Sequence, residues 1–407
     1  MSTVADTTSR AFAEALDAAD PLAPFRDRFV IDDPDLIYLD GNSLGRLPIA
    51  TVARLQHLVR QEWGGDLVRG WDRWPGLPAD VGDLIGTELI GAMPGEVIVA
   101  DSTTVNFYRL ATAALGARPG RTAIVTDRAN FPTDRYVLQG LARARGLSIR
   151  WLDPDPVEGP RVADIAQAVD DDVALITLSH VNYRSASVAD LPAITRLGHD
   201  AGALVLWDLS HSVASVPVGV QEHGVDLAVG CTYKYLNGGP GSPAFLYVRR
   251  ELQEELRNPI QGWFGQRDFL AMGPEYDPQP GIAAWQVGTP SVPGLVAVEE
   301  GARLCAAAGI DAIRAKAVAL TELAIGLHDA WLRPPGFSLG SPRESARRGA
   351  HIALRHPDGR ALSGRLAERN VIVDFRAPDS IRFGLSPLTT RFVDVWEGLE
   401  RLRVLAG

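Results

Sequence analysis

The feature that most restricts the fold of this chain is the repeated alternation of short apolar, β-branched runs with amphipathic helical stretches. The runs Thr122 to Thr126, Val173 to Leu178, Ala203 to Trp207, Leu227 to Val229 and Ala244 to Val248 are apolar almost throughout, with helical patterns between several of them. Strands that are apolar on both faces belong in a parallel sheet covered by helices on each side, so the order predicts an α/β fold. After the proline-rich stretch from Pro274 to Pro293 comes a long Ala/Leu/Glu helical pattern, Val296 to Trp331. Strand-like His351 to Arg355, Val371 to Phe375 and Ile381 to Leu385 follow. The expected organisation is an N-terminal segment, 1–50, contributing to a small domain; a large domain, 51–290; and a small C-terminal α+β domain, 291–407. A chain of 407 residues is long enough for two cores.

Composition narrows the function. A net charge of −10 argues against nucleic acid, which is bound through clustered Lys and Arg. No apolar run reaches the roughly 18 residues of a membrane span, and the polar, acidic start does not read as an export signal, so a soluble cytoplasmic protein is expected. Cys231 and Cys305 are the only cysteines, which fits a reducing compartment; neither HExxH nor paired-cysteine spacing occurs, so no metal site is expected. Small molecules are the expected partners.

Four residue sets meet the demands of one cofactor. Pyridoxal phosphate needs a lysine for covalent attachment, a carboxylate facing its ring nitrogen, donors for its phosphate and an aromatic against its ring. Asp208 ends the strand ALVLWD, where ligands sit in open α/β sheets, and a negative charge there would keep the ring nitrogen protonated. Lys234, in CTYKYLNGGPGSP, lies between two tyrosines and before a glycine-rich turn, a partly desolvated setting for a nucleophilic amine. Asp101-Ser102-Thr103-Thr104 precedes a helical pattern whose amino terminus would present N–H groups to an anion. Phe131, in ANFPTDRY, is the candidate for stacking, and His211 and Tyr233 are candidates for supporting the cofactor. Each signal has an ordinary structural explanation when taken alone. Their order along the chain is what gives them weight.

The blocks YLDGNSLGRLP, NFPTD, HVNYRSA, WDLSHSVASVPV, CTYKYLNGGPGSPAFLYV, GWFG and IRFGLSPL together resemble the kynureninase family, over nearly the whole chain. The resemblance implies a fold type I, class V aminotransferase-like enzyme, with a mainly parallel seven-stranded sheet, acting as a homodimer with sites at the subunit interface. It implies that Lys234 carries the cofactor, Asp208 faces its ring nitrogen, and Thr103, Thr104, Ser179, Tyr233, Trp263 and Thr289 surround its phosphate or the site. Phe131 and Asp134 would lie against the ring, with His211 nearby. Arg382 would grip the substrate carboxylate, a task suited to a planar fork of donors. Trp71, Trp263, Gln266 and Asn42 would line the substrate pocket. The implied reaction cleaves the Cβ–Cγ bond of a kynurenine to give an anthranilate and alanine.

Some substrate-side motifs depart from the family pattern. GWFGH reads GWFGQ, with Gln266 in place of histidine; FxPLY reads LSPLTT, with Thr389 in place of tyrosine; and AAWQVGTPS and SHSVASVP also differ. These departures suggest a modified kynurenine as substrate, or, as the alternative, another bulky amino acid in secondary metabolism, cleaved at a C–S bond or deaminated with decarboxylation. Two other classes deserve weight. Gly41 to Gly45 fits the G-x-S-x-G nucleophile pattern, but Pro48 places the next helix about five residues after Ser43, too late for a strand-to-helix elbow. A cofactor-binding protein without turnover is disfavoured by Arg382, which has meaning only with an amino-acid substrate.

Overall fold

The computed structural model describes residues 6–407. Its centre is a seven-stranded sheet in the order Val97–Val99, Phe245–Val248, Leu227–Gly230, Leu204–Asp208, Val173–Ser179, Ala123–Asp127, Ser148–Leu152. Phe245–Val248 runs against the rest, and the other pairings among the inner strands are parallel. The five apolar runs in the sequence all form strands, with ends shifted by one residue or so. Val97–Val99 and Ser148–Leu152 escape sequence reading: the first is three residues long, and the second, at the sheet edge, is only half buried and carries Arg150. The expected α/β architecture with a mainly parallel seven-stranded sheet is the one observed.

A four-stranded antiparallel sheet, Asp374–Arg376, Ser380–Gly384, His351–Arg355, Ser338–Leu339, forms a second centre. The continuous run expected over Val371 to Phe375 is divided. Val371–Ile372 pairs in parallel with Ile37–Tyr38, whereas Asp374–Arg376 pairs with Ser380–Gly384, so one stretch of chain serves two sheets. Similarly, the helical pattern Val296 to Trp331 is two helices, Val292–Ala308 and Ile310–Leu327. Gly309 parts them with φ +78, a value that L side chains adopt only under strain, and its N–H caps the Cys305 carbonyl.

Apolar packing follows these centres. Strand residues such as Val125, Ile176, Val205 and Ala228 pack with Leu295, Val298 and Ala302 on one face of the large sheet, while Ile124, Leu175, Leu206 and Val229 pack with Phe107 and Leu110 on the other. A separate core joins Ile37 and Leu39 to Ile352, Leu354, Phe383 and Leu399. The helix Ile310–Leu327 spans the changeover: Ile313 and Ala317 belong to the first core, Leu320 and Leu327 to the last. Each fully buried aliphatic side chain contributes roughly 1.5–3 kcal/mol over leaving it in water. Among the described residues no helix is long and apolar enough to cross a membrane.

Candidate active site

A cavity of about 500 Å³ opens at the carboxyl ends of the parallel strands. That is where an open α/β sheet leaves strand-end side chains and helix amino termini facing a common space. Its lining includes Thr103, Thr104, Phe131, Asp134, Ser179, Asp208, His211, Tyr233, Lys234 and Thr289. Ten of the residues singled out in the sequence therefore meet in one place.

Each is put there by local chemistry. Ser102 caps the helix Thr103–Gly116 by accepting from the Val105 N–H, so the first turn, with two threonine hydroxyls, faces the cavity. Asp101 beside it is paired with the buried Arg109 at 3.1 Å, which offsets a charge that would otherwise repel an anion. Asp208 ends its strand, nearly buried, with Oδ1 accepting from the Ser210 N–H at 2.8 Å. Ser179, one strand over and paired with Asp208 in register, donates to Asn130 Oδ1 at 2.6 Å.

Lys234 is buried, with Nζ 3.0 Å from His211 Nε2, 5.7 Å from the centroid of the Phe131 ring and 5.8 Å from that of Tyr233. Phe131 is itself braced edge-on by Tyr183, at 5.2 Å between centroids. Burial pushes the Asp134 carboxyl well above the usual range, and repulsion from Asp208 adds to it. Burial likewise drives His211 well below the usual histidine range, with Lys234 and His351 reinforcing it, so its imidazole is neutral.

The backbone carrying Lys234 is held from the N-terminal segment. Gly45 donates to the Tyr233 carbonyl at 2.8 Å, and a Cβ on Gly45 would lie 2.3 Å from the Lys234 carbonyl oxygen and 2.4 Å from Asn237 Oδ1. Gly45→Ala is therefore expected to destabilise the protein by about 1–3 kcal/mol and to weaken cofactor retention. Thermal unfolding and cofactor content after dialysis would check this; an unchanged variant would show that the turn yields freely.

The remaining sequence candidates lie elsewhere in the chain. Arg382 is buried outside the cavity lining: Nη1 donates to the Tyr183 carbonyl, Nη2 to Asp374 and to Ser43 Oγ at 3.2 Å, and Nε has no partner among the described residues. Asn42 is fully buried against Gly384, and neither of its side-chain polar atoms has a partner among the described residues. Trp263 and Trp71 are 43% and 37% exposed and belong to an aromatic group with Phe264, Phe269 and Trp74. Gln266 accepts from the Asp277 N–H at 2.7 Å, pinning its own loop. Ser43 serves Asp374 and Arg382, and the next helix, Ile49–His57, starts six residues later; no imidazole is among its hydrogen-bond partners, so the hydrolase elbow is absent. Among the described residues no group of His, Cys, Asp or Glu could hold a metal ion.

The cavity also contains residues that sequence reading missed. Gln286 and Tyr183 line it with Ser210 and Ser242. Gln286 is buried with Oε1 unpartnered among the described residues, as is Asp134 Oδ2. Gln286 follows Trp285 in a loop without periodicity, and only its position in AAWQVGTPS, three residues before Thr289, pointed near it. Polar atoms left unpaired in a buried pocket are costly, and a polar ligand removes that cost. A helix amino terminus with hydroxyls, a strand-end carboxylate, a flanking phenyl ring and a buried lysine are the donor set that pyridoxal phosphate requires, and the residues fit it.

Comparisons with known proteins agree. Residues 313–402 match the family model described as the kynureninase C-terminal domain. Kynureninases of Pseudomonas fluorescens and of Burkholderia pseudomallei (strain 1106a) are each 43% identical to this chain over 403 residues, covering 97% of it and 95% of the relative. Among solved structures, a cysteine desulfurase from Thermococcus onnurineus NA1 superposes with a TM-score of 0.80 at 17% identity, covering 97% of this chain and 98% of the other. A C-DES structure with glycine linked covalently to its PLP cofactor gives a TM-score of 0.80 at 17% identity, covering 91% and 97%. At such identities the structural likeness establishes the fold, which is that of fold type I pyridoxal-phosphate enzymes.

Proposed function

This chain belongs to the kynureninase family, and from that premise we propose that it hydrolyses the Cβ–Cγ bond of kynurenine, or of a ring-modified kynurenine, to an anthranilate and alanine. It is a pyridoxal-phosphate-dependent enzyme of the kynureninase type. The observation that carries the reading is the convergence of Lys234, Asp208, Phe131 and the Thr103–Thr104 helix end on one cavity, in a chain 43% identical to kynureninases along nearly its whole length.

Pyridoxal phosphate supplies an electron sink for the carbon that bears the substrate amino group. Lys234 is read as its covalent anchor and as the amine that moves the proton at that carbon. Asp208 would keep the ring nitrogen protonated, and burial with the Asp208 charge favours a protonated Asp134, which could then donate a hydrogen bond. Thr103 and Thr104 would hold the phosphate at the helix end, and Phe131 would lie against the ring. Ser179, His211, Tyr233 and Thr289 complete the surround.

Arg382 is read as the carboxylate grip. Asp374, Ser43 and the Tyr183 carbonyl orient its guanidinium and leave Nε free for a substrate oxygen. Arg382→Lys removes the fork and is expected to raise KM by roughly tenfold or more with a smaller change in kcat; steady-state kinetics with a substrate ester would check whether the loss tracks the carboxylate.

Trp71, Trp263, Gln266 and Asn42 are read as substrate-side residues. All four lie off the cavity lining of their own chain, and Trp263, Trp71, Trp63, Val68, Leu270 and Met272 are all exposed. Exposed apolar side chains of this kind support a homodimer in which these residues meet a second copy. A large and a small domain are part of the same reading, but the helix Val292–Ala308 packs with the large sheet, so the changeover falls within Ile310–Leu327 rather than at residue 290; cytoplasmic residence belongs to the same proposal. The departures at Gln266 and Thr389 support a modified kynurenine. C–S cleavage is not favoured, since the desulfurase and C–S lyase neighbours share only the fold.

The test is incubation of the purified protein with kynurenine and ring-substituted kynurenines, following anthranilate by fluorescence and alanine by chromatography. Equal amounts of both products are expected. Pyruvate with ammonia, or alanine without an aromatic acid, would overturn the reading.

A further inference from the structure

His351 lies outside the cavity lining. It opens the strand His351–Arg355 opposite Gly384, is fully buried, and neither ring nitrogen has a hydrogen-bond partner among the described residues. A buried imidazole with no partner is costly, because both of its polar atoms have left water without replacement. Its ring stands 5.5 Å, centroid to centroid, from the ring of His211, tilted by 54°. His211 is also buried, touches Lys234 Nζ through Nε2 at 3.0 Å, and has no partner for Nδ1 among the described residues.

The hydrogens of this cluster can be placed by inventory. When Lys234 is an ammonium it has only hydrogens to offer, so His211 Nε2 accepts from it, and a neutral imidazole then has its own proton on Nδ1. Both imidazoles are neutral: burial drives each well below the usual range, and the cations facing them, Lys234, Arg382 and Arg376, disfavour a further charge. The His211 Nδ1–H therefore needs an acceptor inside the protein, and the adjoining ring with an unused acceptor is that of His351. The backbone carbonyls of Tyr183 and Arg184 are the neighbouring groups to which its own N–H can donate.

We propose that His351 is a positioning residue: it accepts from His211 Nδ1, fixing the tautomer that leaves Nε2 to accept from Lys234, and so sets the direction of the lysine amine. The proposal rests on the reading of Lys234 as the working amine. Its first test does not depend on turnover.

The tautomer can be read by NMR on full-length protein labelled with 15N-histidine, both with cofactor and after the cofactor is stripped to free Lys234. The His211 signals are assigned by their loss in His211→Gln. In the stripped wild type, His211 is expected as the Nδ1–H form with a hydrogen-bonded proton. In His351→Leu that proton is expected to lose its hydrogen-bonded shift and the two tautomers to mix; His351→Gln, whose amide oxygen can accept, is expected to restore the wild-type form. In the loaded enzyme, His351→Leu is expected to lower kcat about tenfold with KM little changed, the size of one lost buried hydrogen bond, and His351→Gln to recover most of it. An Nε2–H or doubly protonated His211 in the stripped wild type would overturn the proposal even if His351→Leu does not fold. Equal impairment of the Leu and Gln variants would overturn it as well. A correct tautomer pattern in a protein that releases no anthranilate would instead refute the assigned reaction and leave the positioning role standing.

Discussion

Lys234→Ala is expected to bind pyridoxal phosphate only non-covalently and to turn over at least about 10³-fold more slowly than the wild type, because in the proposed function one residue supplies both the covalent anchor and the mobile proton. Folding should survive, since the side-chain amine of Lys234 hydrogen-bonds only to His211 among the described residues and no secondary structure depends on it. The check is chemical as well as kinetic. Borohydride treatment of the wild type should fix the cofactor mass on the peptide containing Lys234, and the visible absorbance of the bound cofactor should change in the variant. Recovery of the mass on another lysine would remove Lys234 from its role.

Asp208→Asn has the second largest expected effect, a fall in kcat of roughly 10²–10³-fold, the range for loss of one preorganised electrostatic contact at a reacting centre. The substitution preserves shape and still offers an oxygen to the Ser210 N–H, so the change is one of charge at the cofactor nitrogen. Asp134→Asn should cost much less. Burial and the Asp208 charge both favour the protonated form of Asp134, so the amide is the closer mimic of that group. Comparison of kcat for the two variants would decide the matter, and equal losses would mean that the charge resides on the pair rather than on Asp208.

Much of this site was legible along the chain because a parallel sheet converts sequence position into spatial position. Asp208 ends one strand, Ser179 ends the neighbouring strand, and Thr103 starts a helix. Strand ends and helix starts in such a sheet face the same edge, so local pattern alone placed these side chains together. Lys234 follows the next strand by the same rule, so these sets all reach one end of the sheet, although the strand order places Lys234, not Phe131, nearest the Thr103 helix.

His351, Gln286 and Tyr183 were not legible. His351 reads as one residue of an ordinary strand in the second sheet, and its approach to His211 joins residues 140 positions apart across two cores. Periodicity reports which face of an element is buried, not which distant element covers it. The N-terminal segment shows the same limit: Gly45 reads as the last position of a G-x-S-x-G pattern, and only the fold reveals that the Lys234 backbone leaves no room for a Cβ.

The amino-acid sequence by itself determined the α/β class, the cofactor and the two residues that do most with it, because each depends on short-range pattern or on a motif whose chemistry is local. The tertiary structure decided which buried polar atoms remain unpaired, how Asp374 and Ser43 orient Arg382, and which imidazole stands behind His211. Those properties arise where elements from different parts of the chain pack against one another, and the free energy of a buried hydrogen bond depends on that packing rather than on neighbours in sequence.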